Sequence, residues 1–283
     1  MSLSFRNLVS DSTLVQETIE LLRRENGCVP AVRVADYVLQ LPDLEPSMAA
    51  FIISELVRDD WRVQLTKDHE VELLCEDDEC RALRETDFVV VDVETTSTKT
   101  PPGRITEIGA YRVSQNRIVA EFQTLVNPQT EIPPFIVHLT GITEKMVKDA
   151  PLFDQVAPEW LHFIGNAVLV AHNASFDVRF INHEIARVFP GQRMGNPHLC
   201  TVSLSRRIVP DIPNHRLHTL AEHFAVSIIN RHRAAGDARA TAEVFLYMLA
   251  HLQQNGVRDL AGARQFRKPM NGHGSWQNAK VRN

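Results

Sequence analysis

Residues 88–96 read Phe-Val-Val-Val-Asp-Val-Glu-Thr-Thr. The run from Phe88 to Val93 is aromatic and β-branched except for one aspartate, which predicts a buried strand. Side chains two apart point to the same side of a strand, so Asp92 and Glu94 place two carboxylates together. An acidic pair at the end of a strand is most often a solvated edge, so it predicts no chemistry unless other residues join it.

The sequence from residue 87 to 257 alternates between short β-rich runs and helical stripes, which predicts an α/β architecture with a sheet between layers of helices. Strands are expected at 107–113, at 118–126 and at 167–171. Because only Ser-Gln-Asn separates the first two, they form a hairpin, and the sheet is expected to be mixed. Helices are expected at 143–165, 175–188, 200–208, 216–224 and 237–252.

The first 86 residues predict a separate small domain. Apolar stripes indicate three helices, and two short alternating runs around residues 63–65 and 71–73 indicate a hairpin, an arrangement typical of a winged helix. The candidate recognition helix, Pro46 to Asp60, carries only Arg58 as a basic residue. This module has 9 basic against 18 acidic residues, net −9. Protein interaction or dimerisation is therefore favoured over DNA reading.

The remaining composition excludes several classes of protein. No apolar run approaches the roughly 20 residues of a membrane span, so we expect no membrane partner and a cytoplasmic location. The four cysteines form no C-x-x-C pair and are expected to be free thiols. Residues 258–283 hold six basic residues and one acidic residue without periodicity, which predicts a disordered basic tail.

Two further aspartates lie on faces that are expected to be buried. Asp177 follows His172-Asn173 and shares a helical stripe with Phe180 and Ile181. Asp237 begins another stripe, with Ala240, Thr241 and Val244. An ionised carboxylate on an apolar face is costly unless cations or donors compensate it. These two aspartates, together with Asp92 and Glu94, predict a shared divalent cation.

In this order the motifs resemble the DEDDh exonucleases, the family of the proofreading epsilon subunit of bacterial DNA polymerase III. The resemblance covers residues 87 to about 250. It rests on Asp92-x-Glu94-Thr95-Thr96, on His172-Asn173-x-x-Phe176-Asp177 and on His232 five residues before Asp237. It implies a ribonuclease-H-like mixed sheet flanked by helices.

The resemblance also implies the roles of individual residues. Asp92, Glu94, Asp177 and Asp237 would bind two Mg²⁺ or Mn²⁺ ions, which prefer oxygen ligands. His232 would be the general base that deprotonates the attacking water. The backbone around Thr95 and Thr96 would contact the terminal 3′-OH. Asn173 and Phe176 would shape the pocket of the last nucleotide, although Phe176 is as well explained as a core residue.

The expected function is metal-dependent 3′→5′ hydrolysis that releases nucleoside monophosphates from the free 3′ end of a nucleic acid, with DNA favoured. The expected domains are 1–86 for a polymerase or repair partner, 87–257 for the nuclease, and the tail 258–283. Two alternatives stay open: an exoribonuclease that trims RNA 3′ ends, and a catalytically silent adaptor that keeps the fold.

Overall fold

The computed structural model describes residues 5–75 and 78–267. The chain divides into two compact units. The first comprises residues 1–77 and 185–195, and the second comprises residues 78–184 and 196–283. Residues 78–86 thus belong to the second unit, which corrects the expected boundary at residue 86.

A five-stranded mixed sheet forms the centre of the second unit. Its strands, numbered along the whole chain, are β5 (Phe88–Thr95), β6 (Ile105–Ser114), β7 (Arg117–Leu125), β8 (Val168–Ala171) and β10 (His198–Cys200). They lie in the order β10-β8-β5-β6-β7. The pairs β10–β8 and β8–β5 are parallel, whereas β5–β6 and β6–β7 are antiparallel. The predicted α/β class and mixed sheet are confirmed.

Helices accompany this sheet along the second unit. They are α4 (Pro134–Thr140), α5 (Glu144–Val147), α6 (Phe153–Ile164), α7 (Ala174–Val188), α8 (Thr201–Ile208), α9 (Leu217–His223), α10 (Ala234–Gln254) and α11 (Leu260–Gln265). One hydrophobic core joins β5 and β8 to α8, α9, α10 and α11. The prediction of a single helix at 143–165 is wrong, because this stretch forms two helices, α5 and α6. Helix α5 ends before Pro151, since proline disfavours helical backbone at the residue before it.

The central strand β5 owes its place to its composition. Phe88, Val89, Val90 and Val91 are all buried, which suits a strand covered on both faces. Its parallel neighbour β8 is buried along its whole length as well. Both strands end where polar residues begin, so the carboxyl ends of two central strands bring polar side chains to one edge of the sheet.

The second unit also contains part of the expected tail. Residues 260–265 form α11, whose Leu260 and Ala263 are fully buried in the same cluster as Leu83. The Leu83 N–H donates to the carbonyl of Arg258 at 2.8 Å. The prediction of disorder is therefore wrong for residues 258–267, because tertiary contacts stabilise a helix too short to show periodicity. Residues 268–283 lie outside the described residues.

Among its described residues, the first unit contains three whole helices, the last residues of α7 and two small sheets. Its helices are α1 (Thr13–Arg24), α2 (Ala31–Tyr37) and α3 (Pro46–Val57). Strands β2 (Cys28–Pro30), β3 (Val63–Leu65) and β4 (Glu70–Leu73) form an antiparallel sheet in the order β2-β4-β3. Strand β1 (Leu8–Ser10) pairs with β9 (Gln192–Met194). The three helices and the β3–β4 hairpin are as expected, and the winged-helix assignment stays a prediction.

Among the described residues, no helix is both long and apolar enough to cross a membrane.

Candidate active site

Strand β5 carries the first two predicted ligands. Asp92 and Glu94 alternate with the buried Val91 and Val93 along the strand, so both carboxylates point to one face of the sheet. In the antiparallel register, Asp92 lies opposite Gly109 and Glu94 lies opposite Glu107 on β6. The sheet therefore brings a third acidic side chain beside this pair.

Asp177 lies in the first turn of α7, where the helix dipole favours an anion. Its side chain is only 3% exposed, and its Oδ1 accepts a hydrogen bond of 3.2 Å from the N–H of Val93. This bond ties the start of α7 to the strand that carries Asp92 and Glu94. The predicted buried stripe of the helix is also present, since Phe180 and Ile181 are fully buried.

Asp237 lies in the first turn of α10. Its Oδ2 accepts a hydrogen bond of 3.1 Å from the backbone N–H of His232, five residues earlier. His232 has a left-handed φ of 60°, which turns its N–H toward the carboxylate. The spacing between the histidine and the aspartate in the sequence is thus the span of one hydrogen-bonded turn.

Three of the four predicted ligands form one cluster. Carboxylate oxygens of Asp92, Glu94 and Asp237 all lie within 4.8 Å of one another. Asp237 Oδ1 is buried and has no hydrogen-bond partner among the described residues. Asp177 is not one of these three, but it lies close enough to Asp92 to raise the pKa of that carboxyl.

Without a bound cation, burial and mutual repulsion disfavour the ionised form of all four predicted ligands. Burial raises the pKa of Asp92 well above its usual range, and Asp177 and Glu94 raise it further. Burial, then Asp237 and Glu107, raise the pKa of Glu94 to about 7. The pKa values of Asp177 and Asp237 are also raised, mainly by burial. Clustered carboxylates of this kind are the setting that a divalent cation neutralises.

The donor set fits a hard divalent cation. It consists of carboxylate oxygens without cysteine or neutral imidazole, and Mg²⁺ and Mn²⁺ prefer such ligands. The unpartnered Asp237 Oδ1 offers a lone pair toward the cluster, as expected of an atom whose partner is an ion. Asp92, Glu94 and Asp237, with Asp177 beside them, are therefore suited to hold metal.

Strand β5 ends at Thr95, beside a shift in the register with β6 after Glu94, and Thr96 follows the strand. Thr95 Oγ1 donates to the carbonyl of Ser97 at 2.7 Å. The N–H of Thr96 donates to the carbonyl of Arg104, and its hydroxyl accepts from the N–H of Arg104. The Thr96 amide is thus engaged within the protein, which limits the expected contact with a 3′-OH to neighbouring backbone groups.

Asn173 and Phe176 lie at the β8–α7 junction. Asn173 has a left-handed φ of 78° and an exposed side chain, and its carbonyl accepts from the N–H of Phe176. Phe176 is half-buried, with its ring centroid 4.7 Å from that of Phe180. The guanidinium of Arg179 lies 5.9 Å from the Phe176 ring centroid. Both residues remain available to a ligand, and Phe176 also contacts the core.

Sequence reasoning missed the partner of the segment that carries His232. Glu107 is fully buried, and its carboxylate accepts two hydrogen bonds from the guanidinium of Arg233, at 3.0 and 2.8 Å. The signal was an acidic residue within the otherwise β-branched run Ile105-Thr-Glu-Ile108. A charge in a buried strand requires a partner, and an arginine next to His232 was a candidate.

A second buried ion pair was also not predicted from the sequence. Arg104 donates to both carboxylate oxygens of Glu184, at 2.7 and 3.1 Å, and both side chains are nearly inaccessible to solvent. Glu184 also accepts from the N–H of Ile105 at 3.3 Å. This pair joins α7, which carries Asp177, to the strand that follows the loop after Thr96.

His172 belongs to a third polar network. Its Nδ1 lies 2.9 Å from Thr201 Oγ1, which is 3.4 Å from the carbonyl of Ala171. Burial lowers the pKa of His172 to about 4. The neutral imidazole therefore joins the end of β8 to the start of α8.

A family model described as "Exonuclease" (RNase T) matches residues 89–245, more than half of the chain. The chain belongs to this exonuclease family. It is an enzyme of that class, and the match includes every residue of the acidic cluster. The resemblance to the DEDDh exonucleases is confirmed.

Named relatives cover the same part of the chain. The DNA polymerase III subunit epsilon of Aquifex aeolicus is 35% identical over 182 residues, which are 64% of this chain and 90% of that protein. A PolC-type DNA polymerase III of Caldanaerobacter subterraneus is 47% identical over 65% of this chain. A putative bifunctional exonuclease/endonuclease of Mycobacterium tuberculosis is 45% identical over 65% of this chain. This chain spans only 13% and 30% of the last two proteins.

Solved structures share the fold. The nuclease domain of 3′hExo, a DEDDh family member bound to rAMP, superposes with a TM-score of 0.51 at 19% identity, covering 61% of this chain and 94% of that one. Exonuclease I of E. coli in complex with a dT13 oligonucleotide gives 0.52 at 17% identity, covering 60% of this chain and 42% of that one. The predicted ribonuclease-H-like fold of the nuclease is confirmed.

Proposed function

We propose that this protein is a 3′→5′ exonuclease that removes nucleoside monophosphates from the 3′ end of DNA. The observation that carries the proposal is the cluster of Asp92, Glu94 and Asp237, with the unpartnered Asp237 Oδ1, beside a histidine whose N–H holds the same aspartate. Exonuclease family membership gives the reaction class, and the cluster gives the chemistry.

The proposed cofactor is a pair of Mg²⁺ or Mn²⁺ ions held by Asp92, Glu94, Asp177 and Asp237. When bound, they would stabilise charge on the attacking and the leaving oxygen of an in-line displacement. The hydrogen bond from the Val93 N–H to Asp177 Oδ1 holds this carboxylate beside the strand that carries Asp92 and Glu94.

The proposed step is hydrolysis of the last phosphodiester. A water oxygen forms a bond to phosphorus, and the bond from phosphorus to the 3′-oxygen of the preceding nucleotide breaks. His232 accepts the proton of the attacking water, because an imidazole accepts protons near neutral pH. The leaving 3′-oxygen takes a proton from solvent, so the products are a nucleoside 5′-monophosphate and a strand shortened by one nucleotide with a new 3′-OH.

The substrate end is proposed to lie beside the junctions that frame the cluster. Asn173 and Phe176 would contact the last nucleotide, and backbone groups near Thr95 and Thr96 would contact its 3′-OH. Phe176 offers a half-buried aromatic ring on which a base could stack. Arg179 on the same helix face is a cation within reach of that ring.

A DNA substrate is favoured over RNA because relatives named as DNA polymerase III subunits or polymerases share 35–47% identity over this region. RNA trimming is the second candidate, since the DEDDh nuclease 3′hExo of the same fold was solved bound to rAMP. A silent adaptor is disfavoured because all four carboxylates and His232 are present.

A labelled oligonucleotide assay tests these proposals together. Single-stranded DNA and RNA of one sequence, each labelled at the 5′ end, are mixed in competition with Mn²⁺. We expect a ladder of DNA products that shorten from the 3′ end and release monophosphates. Release of short 5′ fragments first would reverse the direction, preference for RNA would favour the second candidate, and no hydrolysis would favour the adaptor.

The first unit is proposed to bind a protein partner, such as a polymerase or repair protein, and not nucleic acid. On α3, Met48 and Phe51 are 52% and 64% exposed and lie one turn apart. Glu45 caps the start of this helix, and Glu55 near its end pairs with Arg58, so the surface is apolar with an acidic start. A partner with a basic rim around an apolar anchor matches this chemistry, whereas a polyanion does not.

A further inference from the structure

The segment from Ile229 to Asp237 carries His232 and Asp237 in a conformation that needs support. Asn230 and His232 both have left-handed φ angles, of 54° and 60°. A histidine in this region is strained and persists only where surrounding contacts impose it. The backbone bonds from Arg233 N–H to the Asn230 carbonyl and from Asp237 N–H to the Arg233 carbonyl are local to the turn.

The support from outside the turn comes from Glu107. Its carboxylate accepts from the Arg233 Nε and Nη2 and from the N–H of Ala234 at 3.0 Å. The side chain of Glu107 is fully buried on β6, directly opposite Glu94 in the register. The Glu107 carboxylate therefore fixes both the backbone of Ala234, the first residue of α10, and the side chain of Arg233 before it.

Gly109 allows the first turn of α10 to lie close against β6. It lies two residues after Glu107, on the same face of β6, and opposite Asp92. A Cβ at this position would overlap the backbone of Ala234 and Ala235. The first turn of α10 therefore rests directly on the strand, and Glu107 clamps it from one side.

We propose that Glu107, seated beside Gly109, is a positioning residue that sets the His232–Asp237 turn for metal binding and proton transfer. This inference rests on the proposed function. The positioning role explains why β6 carries a buried carboxylate beside the ligands, although Glu107 repels Asp92 and Glu94 and raises the pKa of each. If packing were the only requirement at this position, an apolar residue would stabilise the fold more than Glu107 does.

The test compares Glu107→Gln with the matched control Glu243→Gln. The control removes a carboxylate from the exposed ion pair that Glu243 forms with Arg239 on α10. Mn²⁺ affinity is measured by calorimetry, and amide exchange is followed over residues 229–237. We expect Glu107→Gln to weaken Mn²⁺ binding about tenfold, as for other groups that orient metal ligands. The amides of His232 and Ala234 should exchange faster, and the control should change neither.

In the hydrolysis assay Glu107→Gln should lower kcat by about 10²-fold, the cost of a displacement near 1 Å. KM for the oligonucleotide should stay within about twofold of the unmodified value. Arg233→Lys, which keeps a cation but loses the two-pronged contact, is the second variant, and it should show a smaller loss in the same direction.

Unchanged Mn²⁺ affinity and unchanged exchange in a folded Glu107→Gln protein would overturn the proposal. If Glu107→Gln fails to fold, the same two measurements on Arg233→Lys decide it. Because metal affinity and amide exchange require no turnover, they test the positioning role even if the unmodified protein proves inactive. Inactivity of the unmodified protein on every oligonucleotide would instead overturn the proposed function alone.

Discussion

At the scale of single residues, the site is a set of carboxylates whose charges conflict until a cation joins them. Asp92, Glu94 and Asp237 come from two elements far apart in sequence, and Asp177 is tied to the first of these elements by the Val93 amide. Removing one ligand should therefore affect the whole set.

Asp177→Ala should lower hydrolysis by about 10³-fold or more, because each ligand contributes to a shared metal site. The measurement is single-turnover cleavage of a labelled DNA strand at saturating Mn²⁺. Asp154→Ala, which removes an exposed aspartate on α6, is the matched control and should keep full activity. Turnover close to normal in Asp177→Ala would contradict the four-ligand assignment.

His232→Ala should reduce the rate by about 10²-fold near neutral pH, the range typical of general-base catalysis. Part of the loss should return at higher pH, because solvent hydroxide then replaces the missing base. Rates of the unmodified and variant proteins between pH 6 and 9.5 check this outcome. If both proteins give parallel pH profiles, another group accepts the proton.

The raised pKa of Glu94 makes the metal-free protein less stable as pH rises. A folded pKa of about 7 against an ordinary 4.5 means that folding favours the protonated form. The associated stability is fully present below about pH 4.5 and is lost as pH rises through about 7. Glu94→Gln, which imitates the protonated form, should raise the thermal midpoint of the metal-free protein at pH 8 by about 4–8 °C.

The control for this prediction is pH 5, where the unmodified Glu94 is already mostly protonated and the substitution should change the midpoint little. Mn²⁺ should stabilise the unmodified protein at pH 8 more than the variant. Equal effects of Glu94→Gln at both pH values would contradict the assigned charge repulsion.

At the scale of elements, the strands and helices that approach the site are joined by ion pairs whose carboxylates are buried. The pair of Arg104 and Glu184 joins the start of β6 to α7. The pair of Glu107 and Arg233 joins β6 to the start of α10. Each pair connects an element that carries a ligand to its neighbour, so the ligand geometry depends on both.

Glu184→Ala should reduce the free energy of unfolding by about 3 kcal/mol, because it leaves the guanidinium of Arg104 buried without its partner. Denaturant unfolding measures the loss. Glu243→Ala, which breaks an exposed pair on α10, should cost no more than about 0.5 kcal/mol. A loss as small as that of the control would show that water replaces the Glu184 carboxylate.

Most elements were readable from the chain because their patterns are long and periodic. The expected strand from Phe88 and the helix at 175–188 correspond to β5 and α7. By contrast, β1, β9 and β10 have three residues each, and α11 has six. An element this short is readable only beside a turn signal, as in the β3–β4 hairpin, whereas these four depend on contacts with distant segments.

At the scale of the whole molecule, charge separates the N-terminal segment of the sequence from the nuclease segment. Residues 1–86 are net −9 and residues 87–257 are net −1, so bound cations would make the nuclease effectively basic. A polyanionic substrate should then bind to the nuclease and avoid the acidic first unit.

Arg58→Ala tests whether the first unit reads DNA, because Arg58 is the basic residue at the end of α3. We expect single-strand affinity, and its dependence on salt between 50 and 200 mM, to stay as in the unmodified protein. A phosphate contact by Arg58 would instead weaken binding and reduce the salt slope by about 1. Deleting the whole unit is a poorer test, because β1 pairs with β9 from later in the chain.

The sequence by itself determined the α/β class, the DEDDh resemblance and the four carboxylates, because each depends on local periodicity or on spacing within one motif. Asp92 and Glu94 were readable as a pair since alternation along a strand is a local property. Only the tertiary structure decided that Glu107 faces Glu94 and clamps the turn before Asp237. Strand register is fixed by the pairing of two whole strands, and the docking of α10 brings together residues 126 positions apart in the sequence.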